Sequence, residues 1–269
     1  MMLSRTALPL ALTAAIGSTA CAAEWYTGAP IAEAPLPAAA AAPTISIGGS
    51  VDGTSRNSIA GALIGKIAPF GTLAESGPRL RASGVIGKYA YDTGDLVTYV
   101  PVGASFIPSA SGYGRVQGTL ADGSFMAGYE IVTSKGVVSA YVGVDVMNHG
   151  LSPFDPGNPV RGTNVGAKIG VETFALPTDS TMLSLSAFYS TIFNSYYARL
   201  KAGVELVDYV YVGPEALALG DDYFSQGRVG AHVTGLRLGD LQVGVSSGYL
   251  RDRVRGNGVY GILDTQIAF

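Results

Sequence analysis

Between residues 137 and 174 the chain alternates apolar and polar positions with a period of two. Val138, Ala140, Val142, Val144 and Val146 alternate with Ser139, Tyr141, Gly143 and Asp145; past an intervening loop, Val165, Ala167, Ile169 and Val171 alternate with Asn164, Gly166, Lys168 and Glu172. Such a period sets the two groups on opposite faces of a strand. Two architectures share the pattern. In a soluble sandwich the apolar face is the core, whereas in a membrane barrel it meets lipid and the polar face lines the lumen.

Similar stretches recur near residues 44–51, 58–67, 78–88, 124–132, 137–147, 162–174, 181–192, 197–206, 209–217, 225–236, 241–250 and 258–269, and most are long enough to cross a bilayer at a tilt. Connections alternate in length: 133–136, 207–208 and 237–240 are tight, and 89–123, 148–161 and 251–257 are long. Three joins depart from that rule, with 193–196 and 218–224 short on the long side and 68–77 long on the short side. Outer-membrane barrels keep short periplasmic turns and long external loops, and an even strand count returns the chain to its starting side. The expectation is an all-β fold, a transmembrane antiparallel up-and-down β-barrel of about twelve strands over residues 44–269. Residues 92–123 leave the count open, because 96–106 reads either as a further strand, giving about fourteen, or as part of a large external loop.

Charge sharpens this choice. Arg79 and Arg81 fall opposite Leu80 and Ala82; Arg199, Lys201 and Glu205 fall opposite Leu200, Val204 and Leu206; Arg228 and His232 fall opposite Val229, Ala231 and Val233. A Lys or Arg facing lipid at mid-bilayer costs about 2–4 kcal/mol, so these groups are expected inside. Glu130, Asp145, Lys168, Glu172 and Asp264 join them. Carboxylates and cations in similar numbers either pair across the lumen and close it or line a narrow wet path, and the closed arrangement is the favoured expectation. The chain is 14% charged with 37 glycines, an unusual soluble surface but one that suits a barrel. A net charge of −3 and the absence of a basic stripe argue against nucleic acid.

Residues 1–22 read as a signal peptide, with Arg5, an apolar run and small residues giving cleavage near Ala22 or Ala23. Residues 23–43 read as a Pro/Ala-rich periplasmic segment. Cys21, the single cysteine, is expected to leave with the signal; lipidation is the alternative, although Ser18 stands where lipoprotein signals carry Leu. The expected location is the outer membrane with both termini periplasmic and lipid around the barrel. A C-terminal Phe269 on an alternating strand is similar to the signal read by the barrel-assembly machinery.

Chemistry is sparse. There are two histidines, and His149 stands near Ser152 and Asp155, the residue types of a hydrolytic triad within one candidate external loop that also holds Asn158. Triads form by geometry, and Asp155-Pro156-Gly157-Asn158 reads better as a turn. Asp155 with Asn158, or Asp221 with Asp222, offer oxygens to calcium without EF-hand spacing. No catalytic residue, cofactor or metal is expected. Tyr141, Tyr189, Tyr196, Tyr197 and Tyr223 near strand ends suit an interfacial aromatic girdle, or stacking on glucan rings.

Several short motifs in fixed order carry a resemblance. They are Asp52 with Thr54-Ser55-Arg56, Gly77-Pro78-Arg79-Leu80-Arg81, Gly128-Tyr129-Glu130, and Tyr141-Val142-Gly143-Val144-Asp145 with His149 and Leu151-Ser152-Pro153. Asp155-Pro156 with Asn158, Gly162-Thr163, and Gly166-Ala167-Lys168 follow. Tyr189-Ser190-Thr191, Val212-Gly213-Pro214-Glu215 and Tyr223 with Arg228-Val229-Gly230 complete them. Together they resemble the BcsS family of cellulose biosynthesis proteins over essentially the whole predicted barrel. The resemblance implies a non-catalytic accessory protein of cellulose production or export, with cellulose or cellulose synthase components as partners. It supplies no catalytic residues. A narrow porin-like channel for small polar solutes or saccharides is the alternative.

Overall fold

The structure, a computed structural model, describes residues 43–102 and 105–269. The expected signal peptide, the segment after it and Cys21 lie outside the described residues. Twelve strands follow one another: β1 (Ile45–Thr54), β2 (Ser58–Ile67), β3 (Gly77–Val102), β4 (Ser105–Thr133), β5 (Gly136–Ser152), β6 (Gly162–Thr178), β7 (Thr181–Ser190), β8 (Tyr196–Val207), β9 (Val210–Gly220), β10 (Ser225–Leu238), β11 (Leu241–Asp252) and β12 (Gly256–Ala268). Each pairs antiparallel with its sequence neighbours, and β1 pairs with β12 from Ser46↔Ala268 to Thr54↔Tyr260, so the sheet closes into a barrel without an edge.

Exposure decides between barrel and sandwich. The apolar set of β5 faces outward, with Val142 62% exposed, and Val165 and Leu63 on other strands are 74% and 63% exposed. The polar set, Ser139, Asp145, Lys168 and Glu172 among them, is buried inside. A soluble monomer rarely exposes so continuous an apolar surface, whereas lipid requires one. The fold is a transmembrane β-barrel with its polar side turned inward.

Two rims result. Thr44, Phe269 and the tight turns after β4, β6, β8 and β10 form the terminal rim; the connections after β1, β3, β5, β7, β9 and β11 form the loop rim. A bulge between Thr234 and Leu236 marks the terminal rim, where Gly235 holds φ +95 and a Cβ would collide with the Tyr209 carbonyl, so only glycine fits. Residues 92–123 correct the sequence expectation of an extra strand or a large loop. They continue β3 and β4 as one hairpin, 26 and 29 residues long, against the 9–11 or so that cross a bilayer, so the strand count is twelve. Backbone pairing there continues without help from lipid-type alternation, which is why the hydrophobic pattern misses it. The connection 68–76 folds against the terminal rim, where Leu73 N–H donates to the Pro43 carbonyl at 2.8 Å and Arg79 reaches the carbonyls of Thr72 and Glu75.

Candidate functional site

The lumen is crossed by ion pairs between distant strands. Lys66 on β2 lies 3.0 Å from Glu130 on β4 and 3.3 Å from Glu172 on β6; Arg79 on β3 meets Glu130 at 2.8 Å and Arg81 meets Glu172 at 3.2 Å. Around the ring, Arg199 on β8 bridges Glu215 at 2.7 Å and Asp264 on β12 at 3.1 Å, and Lys201 meets Asp264 at 3.2 Å. Lys168 joins Asp145 at 3.1 Å and Asp122 at 3.4 Å, and Arg228 on β10 reaches Asp52 on β1 at 2.8 Å. Hydroxyls complete the shells: Ser139 donates to Glu130 at 2.6 Å, and Ser246 and Tyr260 donate to Glu215 at 3.0 and 2.9 Å. Each carboxylate faces a cation, which a low-dielectric interior demands.

Between these pairs sits an apolar plug. Met126, Tyr141, Phe188, Tyr197, Leu217, Leu250, Tyr260 and Ile262 form one buried cluster drawn from opposite walls. Glycines make room for it: a Cβ on Gly128 would strike the Tyr141 ring, and one on Gly170 would strike Phe188. Three guanidinium or ammonium groups also lie over rings, Arg81 at 4.4 Å from Phe188, Arg228 at 5.1 Å from Tyr260 and Lys66 at 5.8 Å from Tyr141. A smaller cluster, Phe174, Met182 and Tyr211, seals the terminal side.

Toward the loop rim the chemistry changes. Tyr91 O–H donates to Asp155 at 2.8 Å and accepts from the Asn158 amide at 2.9 Å, while Gly157 N–H donates to Asp155 at 3.0 Å and Val160 N–H to Asn158 at 2.9 Å. The Tyr91 ring stacks on Tyr89 at 6.2 Å and meets Tyr223 at 5.5 Å. Tyr223 and Phe224 N–H groups donate to Asp221 at 2.7 and 3.0 Å. Burial pushes the Asp221 carboxyl above the usual range, and those two N–H groups act in the opposite sense. Asp252 holds Arg255 at 2.6 Å and accepts from Gln226 at 2.8 Å. A cavity of about 120 Å³ remains among these groups.

The sequence matches the family described as "Cellulose biosynthesis protein BcsS" over residues 47–269. The chain belongs to the BcsS family. No curated protein matches it. Among solved structures it is similar to a KdgM porin, with a TM-score of 0.41, 11% identity and coverage of 83% of this chain and 99% of that one. It is also similar to the toluene transporter TodX of Pseudomonas putida, at a TM-score of 0.43, 10% identity and coverage of 86% and 90%.

In this BcsS barrel, eleven of the residues expected inside, Arg79, Arg81, Glu130, Asp145, Lys168, Glu172, Arg199, Lys201, Arg228, His232 and Asp264, are buried. Glu205 does not join them: at the end of β8 its carboxylate accepts the Tyr209 N–H at 2.7 Å and helps close the turn. His232 lies between Thr234 at 2.9 Å and the Ala202 carbonyl at 3.1 Å. His149 belongs to β5 rather than to the loop, facing inward against Tyr89 at 3.3 Å. Ser152 takes the opposite, exposed register of that strand, so the structure does not bring Ser, His and Asp types together. Asp155 is fully buried, and Tyr91 on β3 donates to it at 2.8 Å. Asp222 accepts from Asn194 at 2.9 Å, and among the described residues no group of three acidic, His or Cys side chains is placed to hold a metal.

The tyrosines divide: Tyr189 and Tyr196 face outward, as a girdle requires, but Tyr141 and Tyr197 plug the lumen and Tyr223 stands at the mouth. Sequence reasoning missed Lys66, Glu215 and Asp122 as lumen partners, and Tyr89 and Tyr91 at the mouth. Lys66 and Glu215 share their inward register mainly with apolar residues and a tyrosine, Ala62 and Ile64 on β2 and Tyr211 and Leu217 on β9, so alternation left them unmarked; register parity on those strands was the available signal.

Proposed function

We propose that this chain is an outer-membrane accessory barrel of bacterial cellulose biosynthesis or export, a non-catalytic scaffold or docking element whose lumen stays shut. Family membership supports the pathway. The observation that carries the scaffold role is the lumen packing, in which ion pairs span from β2 to β6 and from β8 to β12 around an apolar plug from opposite walls. A wet path would need many of these groups to move together, and each broken pair would strand a buried charge.

In this reading the terminal rim, with both chain ends, is periplasmic, and the loop rim and the long β3–β4 hairpin stand outside. Residues 1–22 act as the signal peptide, the strand ending in Phe269 is what the assembly machinery reads, and outer-membrane lipid covers the apolar belt. The partners are cellulose or components of the cellulose synthase complex. Deleting the gene lowers cellulose yield or alters its deposition, and the intact gene restores it; unchanged cellulose sinks the proposal. Purified barrel in planar bilayers stays silent. Reproducible single-channel conductance moves the assignment to a narrow porin-like channel.

A further inference from the structure

A cavity lies at the loop rim, and Tyr89, Tyr91, Tyr223 and Phe224 are among the residues that line it. We propose that it is a blind receptor for the terminal ring of an uncharged glycan chain, which it holds at its end and does not pass. Three observations carry this.

The first is size and shape. About 120 Å³ is less than the about 150 Å³ of a cavity that holds benzene, so it takes at most part of one sugar ring and leaves the remainder of that ring in the open mouth. Below it the Arg228–Asp52 pair, at 2.8 Å, and Leu219, packed against the apolar plug, form a floor. A chain can enter and has no exit.

The second is the wall. A pyranose presents C–H groups on its two flat faces and hydroxyls around its edge. Tyr91 is itself covered by Tyr89 at 6.2 Å and Tyr223 at 5.5 Å, and the rings of Tyr89, Tyr223 and Phe224, the last with Arg255 over it at 5.6 Å, line the cavity for the former. Asn158, and Arg255, whose Nη1 is buried with no hydrogen-bond partner, offer polar groups for the latter. A mainly apolar lining with a few placed polar groups is the usual composition of a small-molecule site.

The third is charge. Arg228 is neutralised by Asp52 and Arg255 by Asp252, Lys88 takes the outward, exposed register of β3, and burial favours the uncharged form of the remaining lining carboxyl, Asp221. No net field favours an acidic or basic ligand, which points to a neutral sugar.

The choice of glucan as probe rests on the cellulose reading above, whereas the site itself rests on the cavity. The test is calorimetric titration of the full barrel in detergent with cellobiose, cellotetraose and cellohexaose, and with an oligogalacturonate of matched length. The three neutral sugars are expected to bind with the same molar affinity, because only the end ring is held, and the oligogalacturonate about ten-fold more weakly or not at all. Tyr223→Ala is expected to weaken binding about ten-fold, Tyr223→Phe to keep it, and Tyr113→Ala, 83% exposed on β4, to leave it unchanged. Retained heat-modifiable mobility on gels shows that each variant is folded. No binding by the folded wild type overturns the receptor. Affinity that climbs with chain length overturns end capture, equal binding of the acidic sugar overturns the charge argument, and indifference to Tyr223→Ala overturns the location. Cellulose yield in the deletion strain is read separately, so sugar binding with normal cellulose sinks the accessory reading and spares the cavity.

Discussion

The middle of the lumen and its loop-rim mouth are built from the same barrel wall and use it in opposite ways. In the middle, Lys66, Arg81, Glu130 and Glu172 interlock over glycine-lined gaps filled by Tyr141 and Phe188. At the mouth, Tyr89, Tyr91 and Tyr223 lean together, Asp155 and Asn158 are tied by a side chain from across the opening, and a space remains. The difference teaches where rigidity and where recognition can reside. Paired buried charges penalise any opening, whereas neutral aromatic and amide groups can exchange partners with a ligand at little cost.

The largest expected effect is in the middle. Glu172→Ala removes a carboxylate shared by Lys66 and Arg81 and is expected to cost about 3–5 kcal/mol in urea unfolding of the barrel refolded into lipid vesicles, while Asp264→Ala, which removes one shared by Arg199 and Lys201, behaves alike. A loss below about 1 kcal/mol for both would show the pairs to be as weak as surface ones. Next comes overpacking: Gly170→Leu pushes into the Phe188 ring and is expected to cost about 1–3 kcal/mol in the same measurement. At the mouth, Tyr223→Ala is expected to change stability by less than about 1 kcal/mol while weakening sugar binding about ten-fold, the reverse of the profile of Glu172→Ala.

Smallest is Asp221→Asn. Because burial raises the folded pKa of this carboxyl, its contribution to stability is fully present below the unfolded pKa and is lost as pH rises through the folded one. The amide keeps an oxygen for the Tyr223 and Phe224 N–H groups, so at neutral pH the variant is expected to lie within about 0.5 kcal/mol of wild type or slightly above it, with the acid side of its pH–stability curve flattened. Clear destabilisation at pH 7 would mean that Asp221 works as an anion there.

Alternation along β5 and β6 makes the inward and outward faces legible in the sequence, because a period-two strand offers only two sides and the hydrocarbon of the bilayer excludes charge from one of them. The β3–β4 hairpin is not legible there, since beyond the bilayer nothing imposes an apolar face. Partners are not legible either. Arg81 and Glu172 are 91 residues apart, and which cation meets which carboxylate depends on the stagger of the closed ring. Tyr141 and Tyr197 resemble girdle residues because a tyrosine near a strand end is usually interfacial; their inward register, visible in the parity of β5 and β8, argues otherwise.

The sequence by itself therefore determined a strand-built membrane barrel, its two faces, and the side of most lumen charges, Asp52, Lys66, Asp122 and Glu215 excepted, since these follow from local periodicity and the cost of charge in lipid. Only the tertiary structure decided that ion pairs and one buried cluster span the lumen, that His149 and Ser152 turn away from each other, and that a cavity survives at the mouth. Those features depend on side chains from strands far apart in sequence meeting across a space, and no local pattern encodes that distance.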